Sequence, residues 1–486
     1  MMVREHAALA AKGAQLVELR ADYLSRLPDL SRLLRDRPTP CVITCRRQSD
    51  RGRWRGTEQQ RQALLRTAVV YGAEYVDLER DVARAIPRYG VTKRIVSHHD
   101  FEETPDNLEE IYAECAELDP DIIKLATMAN APSDMVRMLK LVREADVPTV
   151  GFCMGELGMA SRILCGKYGS PFTYASFSKE RELAPGQLSF EEMQGIYRFD
   201  AINSDTQVYG VIGDPIGHSL SPLIHNAAFR SEDRNAVYLP FRIPKDLLAS
   251  TLEEFEWLEV DGYSVTIPHK EAVITVADRT DGPVQEIGAA NTLYRDRQGY
   301  WLASNTDYEA ALASIRLGME TEGQVDESLS GKKVLLLGAG GAARAIGLGL
   351  ARSGALLTIA NRTHKRAQEL ASGLGCQQIK WENRGTVFAD VLVNCTPVGM
   401  HPNVDETPYE IHWLRENMLV FDTIYNPEST LLLKNARERG CRTVSGVEMF
   451  VRQAAAQFEC FMRRAAPIEE MRAALRFGIS PLSSFL

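Results

Sequence analysis

Lys124 is charged in the middle of an otherwise apolar run, DIIKLAT (121–127). If the run is a strand, its side chains alternate, so Ile122, Lys124 and Ala126 share one face and Ile123 and Leu125 the other. A lysine enclosed in this way loses solvation, its pKa falls, and its neutral amine can add to a carbonyl. A lysine closing a strand end against a carboxylate would look the same in sequence. His99, in the preceding run RIVSHHDF (94–101), is the type of general acid/base that imine chemistry needs, and alternation points its neighbour His98 the other way. Arg20, Arg46 and Arg162, expected at the ends of separate strands, would together form a cationic cup for a carboxylate and hydroxyls; singly, each reads as a surface arginine.

A second group lies downstream. Ser219 and Ser221 straddle Leu220 just before Pro222 and a helical pattern, so two hydroxyls and the positive end of a helix could receive a carboxylate. Ser221 is also expected to cap that helix. Lys270 follows Thr266-Ile-Pro-His in a short loop, and Asp307 ends the run NTD. A paired lysine and aspartate can relay a proton to the oxygen of a ketone under reduction; the same pair could be a surface salt bridge.

The third group is VLLLGAGGAARA (334–345), an apolar run that breaks into glycines and then into a small-residue helix pattern. A strand, a tight turn and a helix N-terminus of this kind cradle a pyrophosphate. Gly338 makes the turn, Gly340 lets the backbone approach the phosphates, and Ala343 lets helix and strand pack closely. Ala339, Gly341 and Ala342 complete the turn. About 20 residues on, the next strand ends in Asn361-Arg362-Thr363 rather than in Asp or Glu. An arginine and a threonine hydroxyl there would bind a 2′-phosphate, which predicts NADP(H) as cofactor.

These groups need elements to position them. Residues 1–200 alternate short apolar runs with amphipathic helical stretches. The runs are 15–21, 41–46, 75–80, 94–101, 121–127, 148–154 and 172–177, and nearly every one carries a polar residue at its carboxyl end. That pattern predicts seven strands of an α/β, TIM-type (β/α) barrel, whose active site lies at that end; a doubly wound sheet would concentrate polar residues at one switch point. FDAINSDTQ (199–207) reads as a polar joint, and a new strand begins at Val208. The expected borders are 1–203 for the barrel, 206–309 for a substrate domain completed by C-terminal helices 450–486, and 310–449 for a Rossmann nucleotide domain.

Bulk properties narrow the class. The chain has 486 residues, 45% hydrophobic and 25% charged, with a net charge of −9. An acidic balance argues against nucleic acid or an anionic membrane surface as the main partner. Nine scattered cysteines read as thiols of a reducing compartment, so a cytoplasmic enzyme is expected. Cys41 and Cys45 have no second pair to complete a zinc site, and no metal is expected. No apolar stretch reaches the roughly 18 residues of a membrane span. The sequence leaves room for a homo-oligomer.

ELRADYL, ITCRRQSDRG, SHHDF, DIIKLAT, MASR and APGQL, in this order, resemble type I 3-dehydroquinate dehydratase over residues 1–200. The resemblance implies that Lys124 forms a Schiff base with the substrate ketone and that His99 shuttles protons. It implies that Arg162 binds the carboxylate, with Glu18, Arg20, Arg46 and Gln187 on the hydroxyls. Asp50, which it implies as a further catalytic residue, stands where that family has Glu, and Leu183 where it commonly has Ser. The family's first barrel strand precedes the helix before ELR, whereas this chain begins inside that helix. Either the start lies upstream or the barrel is incomplete.

From Val208 nearly to the end, SLSP, VTIPHK, AANT, NTD, GAGGAARA, NRT, NCTPVGM, YNP and GVEMFVRQAA resemble shikimate dehydrogenase. This implies Lys270 and Asp307 as the catalytic pair and Ser219 and Ser221 on the carboxylate. Thr266, Asn291 and Gln453 would hold ring hydroxyls, Gln453 returning from the C-terminal helix. Arg366, Thr396, Met400, Tyr425, Gly446 and Met449 would join the fingerprint residues and Asn361 to Thr363 around the cofactor. Together the two resemblances imply a fused enzyme that dehydrates 3-dehydroquinate to 3-dehydroshikimate and reduces that to shikimate with NADPH. A regulatory protein binding quinate or shikimate on inactive folds, and a quinate-preferring dehydrogenase, remain alternatives at this point.

Overall fold

A computed structural model of the chain describes residues 2–181, 186–217, 219–319 and 328–479. They fall into two compact units, residues 1–206 with 254–258, and residues 207–253 with 259–486.

In the first unit, helix Met2–Ala11 precedes six strands: β1 (Val17–Arg20), β2 (Cys41–Thr44), β3 (Tyr75–Glu79), β4 (Lys93–His99), β5 (Ile122–Met128) and β6 (Thr149–Met154). They pair in the order of the sequence, all parallel. A doubly wound sheet reverses direction at a switch point; this one never does, which is the winding of a barrel wall. Alternation sorts the strands into two faces. Val42, Ile95, Ile122, Ala126, Val150, Phe152 and Met154 form one apolar cluster, while Ile43, Val76, Leu78, Val96, Ile123 and Leu125 join another with the surrounding helices. Lys124 therefore shares the first face with Ile122 and Ala126, as its position in the run predicts.

The seventh expected strand, 172–177, is not one. Only Ser176 pairs, through an isolated bridge to Ser189. Pro171 removes a backbone donor where a ladder would begin. The rings of Phe172 and Tyr174 pack on the inner apolar cluster and against each other at 5.7 Å, so side-chain burial rather than a ladder fixes this segment.

The second unit opens with a mixed sheet: β7 (Gln207–Gly213), β8 (Ala236–Arg242), β9 (Val260–Val265), β10 (Arg279–Thr280), β11 (Thr292–Arg295) and β12 (Trp301–Ser304), ordered β10-β12-β11-β9-β7-β8. A fully parallel sheet follows: β13 (Lys333–Leu337), β14 (Leu356–Asn361), β15 (Gln377–Lys380), β16 (Val391–Asn394), β17 (Leu419–Asp422) and β18 (Arg442–Val444), ordered β15-β14-β13-β16-β17-β18. This is the dinucleotide-binding order, with its switch point between β13 and β16. Helices Gly446–Met462 and Ile468–Ile479 then return to the mixed sheet, where Val451, Ala454, Phe458, Met471 and Leu475 share a core with Tyr209, Val211 and Tyr238. Residues 480–486 of the expected helical tail lie outside the described residues. No described helix is long and apolar enough to cross a membrane.

Candidate active sites

In the first unit the inner face turns from apolar to polar toward the carboxyl ends of the strands. Lys124 is 5% exposed. Its Nζ lies 3.3 Å from Asp77 Oδ2, 3.8 Å from Glu18 Oε1 and 3.8 Å from the centre of the Tyr174 ring. Arg46, just past β2, donates to Asp77 at 2.9 Å, to Glu79 at 3.0 Å and to Ser97 Oγ at 3.1 Å. Glu18 accepts from Thr44 Oγ1 at 2.7 Å. Asp22 fixes Arg20 with two hydrogen bonds of 2.9 and 2.8 Å, and Tyr23 stacks beneath the same guanidinium.

His99 ends β4, half-buried and stacked at 6.0 Å on Phe101. Burial, reinforced by the Arg46 and Lys124 cations, holds its imidazole well below the usual histidine range, so it is neutral and able to accept a proton. Arg162 lies in the short helix Ser161–Leu164 rather than at a strand end, because the turn after β6 closes directly into that helix. It is buried, with its guanidinium 4.3 Å from the centre of the Phe152 ring. Asp50, on the single-turn helix Gln48–Asp50, pairs with Arg47 just before it. Gln187 is half-buried, and Leu183 lies outside the described residues.

In the second unit Lys270 Nζ donates to Asp307 Oδ2 at 2.6 Å. Asp307 begins helix Asp307–Met319, and its other oxygen accepts from Asn291 Nδ2 at 2.9 Å. Asn291 is itself fixed by Thr306, whose backbone N–H donates to Asn291 Oδ1 at 2.8 Å. Gln453, on helix Gly446–Met462, brings its Oε1 within 3.5 Å of Asn291 Nδ2. Thr266 follows β9, half-buried in the turn that leads to Lys270. Ser221 does not cap its helix as expected. The helix starts one residue earlier, so the capping position is Leu220, and the Ser221 N–H is taken by Ser219 Oγ at 3.3 Å.

The glycine turn meets this pair. A Cβ on Gly341 would sit 3.4 Å from Lys270 Cδ, so the lysine stem lies against the first turn of helix Gly341–Arg352. Gly338 adopts φ +114°, and a Cβ there would meet the Cys395 carbonyl oxygen at 3.0 Å. Around Gly340 the space is open, as a phosphate approaching the helix N-terminus requires. Ala343 is fully buried between helix and sheet, while Ala339 is buried and Ala342 half-buried. Beyond β14, Arg362, Thr363 and Arg366 are exposed, and Asn361 Nδ2 donates to the Thr363 carbonyl at 2.9 Å, shaping the turn that presents them. Thr396 caps the end of β16 through Asn394 Oδ1 at 2.7 Å. Met400 is exposed, Met449 is buried, and the Tyr425 ring packs tilted against Phe450 at 4.3 Å. At Gly446 a Cβ would fall 2.4 Å from the carbonyl oxygens of Thr423 and Ile424, so only glycine fits. Cations without a carboxylate at the end of β14, and open backbone at the glycine turn, suit a 2′-phosphorylated dinucleotide.

A family model described as Type I 3-dehydroquinase matches residues 1–204. Models described as Shikimate dehydrogenase substrate binding domain, Shikimate / quinate 5-dehydrogenase and Shikimate 5'-dehydrogenase C-terminal domain match residues 211–293, 320–398 and 446–476. The bifunctional 3-dehydroquinate dehydratase/shikimate dehydrogenase of Arabidopsis thaliana, named chloroplastic, is 39% identical over 489 residues, covering 96% of this chain and 81% of the relative. The chain belongs to the bifunctional 3-dehydroquinate dehydratase/shikimate dehydrogenase family. Its dehydrogenase half is 42% identical to the NADP(+) shikimate dehydrogenase of Methanopyrus kandleri, over 57% of this chain and 97% of that one. A crystal structure of a shikimate dehydrogenase with NADP+ matches with TM-score 0.53 at 34% identity, covering 57% of this chain and 98% of that one. The Thermus thermophilus shikimate dehydrogenase, solved with NADP(H) and shikimate, matches with TM-score 0.51 at 30% identity, over 56% of this chain and 99% of that one.

In this dehydratase/dehydrogenase, sequence reasoning overlooked the residues nearest to Lys124. Asp77 and Glu79 project from β3 onto the inner face, both buried, and Tyr174 closes the other side of the amine. The signal was present in YVDLE, two carboxylates two apart in an apolar strand and therefore on one face.

Proposed function

We propose that Lys124 carries the first of this enzyme's two consecutive reactions and that Lys270 and Asp307 carry proton traffic in the second. The enzyme dehydrates 3-dehydroquinate to 3-dehydroshikimate and then reduces the product to shikimate with NADPH. In the dehydratase unit, the Lys124 amine, having given up a proton, adds to the ketone, and that proton returns to the carbinolamine hydroxyl as it leaves as water, giving an iminium. The iminium acidifies the neighbouring C–H, the freed electrons move toward nitrogen, and their return expels the adjacent hydroxyl as water. His99, neutral at neutral pH, accepts and returns the protons and assists hydrolysis of the imine. Arg162 and Gln187, with Glu18, Arg20 and Arg46, hold the carboxylate and hydroxyls.

In the dehydrogenase unit, Ser219 and Ser221 bind the substrate carboxylate, and Thr266, Asn291 and Gln453 its hydroxyls. The residues at Gly338 to Ala342 and Asn361 to Thr363, with Arg366, Thr396, Met400, Tyr425, Gly446 and Met449, would hold NADP(H), which supplies the hydride when bound. Lys270, held at 2.6 Å by Asp307, gives the proton that the new alkoxide requires. The observation that carries this reading is the position of the Lys270 stem against Gly341, which sets the proton donor beside the dinucleotide turn. The borders 1–203, 206–309 with 450–486, and 310–449 remain our assignment of the domains. All nine cysteines are free thiols, which supports a reducing setting such as the cytoplasm.

Two measurements test the proposal. Dehydroquinate with borohydride should leave a covalent adduct on Lys124, located by mass spectrometry; an unmodified Lys124 would refute its role. Dehydroquinate with NADPH alone should oxidise the nicotinamide, and no oxidation would show that one half is inactive.

A further inference from the structure

Asp77 is the carboxylate closest to Lys124, yet the proton transfers at Lys124 and His99 leave it no task. Its side chain is fully enclosed. Oδ2 faces Lys124 Nζ at 3.3 Å, while Oδ1 accepts from Arg46 Nη2 at 2.9 Å and from Ser97 Oγ at 2.6 Å. Strands β2, β4 and β5 thus all converge on one carboxylate of β3. Burial by itself would raise this carboxyl, but the Arg46 and Lys124 charges and the Ser97 hydrogen bond hold it well below the usual aspartate range, so it is ionised.

Imine formation conserves charge at the lysine. An ammonium and a ketone give an iminium and water, R–NH3+ + O=CR2 → R–NH+=CR2 + H2O, with one positive charge before and after. An anion matched to the ammonium is therefore matched to the iminium as well. Only the protonated imine draws electrons from the adjacent C–H, and in a poorly solvated interior a carboxylate about 3 Å away favours that charged form. Other charged or titratable groups face the same region: Glu18 from β1, Arg46 beyond β2, Glu79 from β3 and His99 from β4. Glu18 stands farther from Nζ, at 3.8 Å, and its side chain is 16% exposed where that of Asp77 is 0% exposed. Arg46 opposes a cation at Nζ, the neutral His99 adds no charge, and Tyr174 offers only a ring face.

We propose that Asp77 is the counter-ion of the Schiff base, a positioning residue whose fixed negative charge keeps the imine nitrogen on Lys124 protonated at neutral pH. The proposal rests on Lys124 forming the imine. The test is the pH dependence of borohydride trapping and of dehydratase kcat in the full-length enzyme. Asp77→Asn should move the basic limb of both profiles down by about one pH unit or more. It should also lower kcat at neutral pH about tenfold with little change in KM, and Asp77→Glu should recover part of the loss. A folded Asp77→Asn enzyme with the wild-type limb and kcat overturns the proposal. If that variant does not fold, Ser97→Ala decides. Removing the 2.6 Å hydrogen bond makes the carboxylate more basic and should move the limb upward; an unmoved limb overturns the counter-ion role. Absence of any adduct on wild-type Lys124 is a separate result, which removes the imine itself and the counter-ion with it.

Discussion

Arg362 and Lys270 show how far single side chains can be argued from their surroundings. Arg362 is exposed at the end of β14, and the stretch Asn361 to Arg366 contains no acid. A 2′-phosphate would meet cations there, whereas the ribose hydroxyl of NAD(H) would meet no carboxylate. Arg362→Asp should therefore lower kcat/KM with NADPH roughly fivefold to 150-fold, about 1–3 kcal/mol of transition-state binding, and leave that with NADH unchanged or improved. Steady-state kinetics with both nucleotides checks this, and an equal loss with both would refute the phosphate contact. Lys124 and His99 were legible in the sequence because each interrupts an apolar run, Lys270 and Asp307 because they sit in the short motifs VTIPHK and NTD, and Arg362 because it stands where an acid would be expected. Asp77 was overlooked because an acid in YVDLER resembles an ordinary strand-end residue until β2, β4 and β5 surround it.

At the scale of elements, helix Ser221–Ser231 shows what burial does to a titratable group. His225 is fully buried, stacked on Tyr238 at 4.2 Å and facing Phe229 and Phe461. Burial pushes its imidazole down to about 3. The unfolded chain takes up a proton near pH 6.5 that the folded helix refuses, so this histidine lowers stability as pH falls from about 6.5 toward 3. Relative to wild type, His225→Phe should gain up to about 3 kcal/mol between pH 7 and pH 4.5, read from urea unfolding at each pH. A constant difference across that range would refute the argument. The same scale explains the lost seventh strand. Residues 172–177 have the composition of a strand, but Pro171 and the burial of Phe172 and Tyr174 on the inner cluster favour a packed, irregular segment.

For the whole molecule, the expectation is two separable activities in one chain. Lys124→Ala should abolish turnover from dehydroquinate, by at least about a thousandfold, yet leave NADP+-dependent shikimate oxidation within about twofold of wild type. Lys270→Ala should do the reverse, so that dehydroshikimate accumulates from dehydroquinate. Loss of both activities in either variant would contradict independent sites. The sequence by itself determined the class of each half, the dinucleotide turn and its cofactor, and the residues that interrupt apolar runs, because periodicity and turn chemistry are local. The tertiary structure alone decided which charges surround Lys124 and how closely the other partners meet. Asp77 reaches Lys124 from another strand 47 positions away, Gln453 reaches Asn291 across 162 positions, and the Lys270 stem comes to rest on Gly341. Such meetings depend on strand register and on the return of the C-terminal helix, which no local pattern encodes.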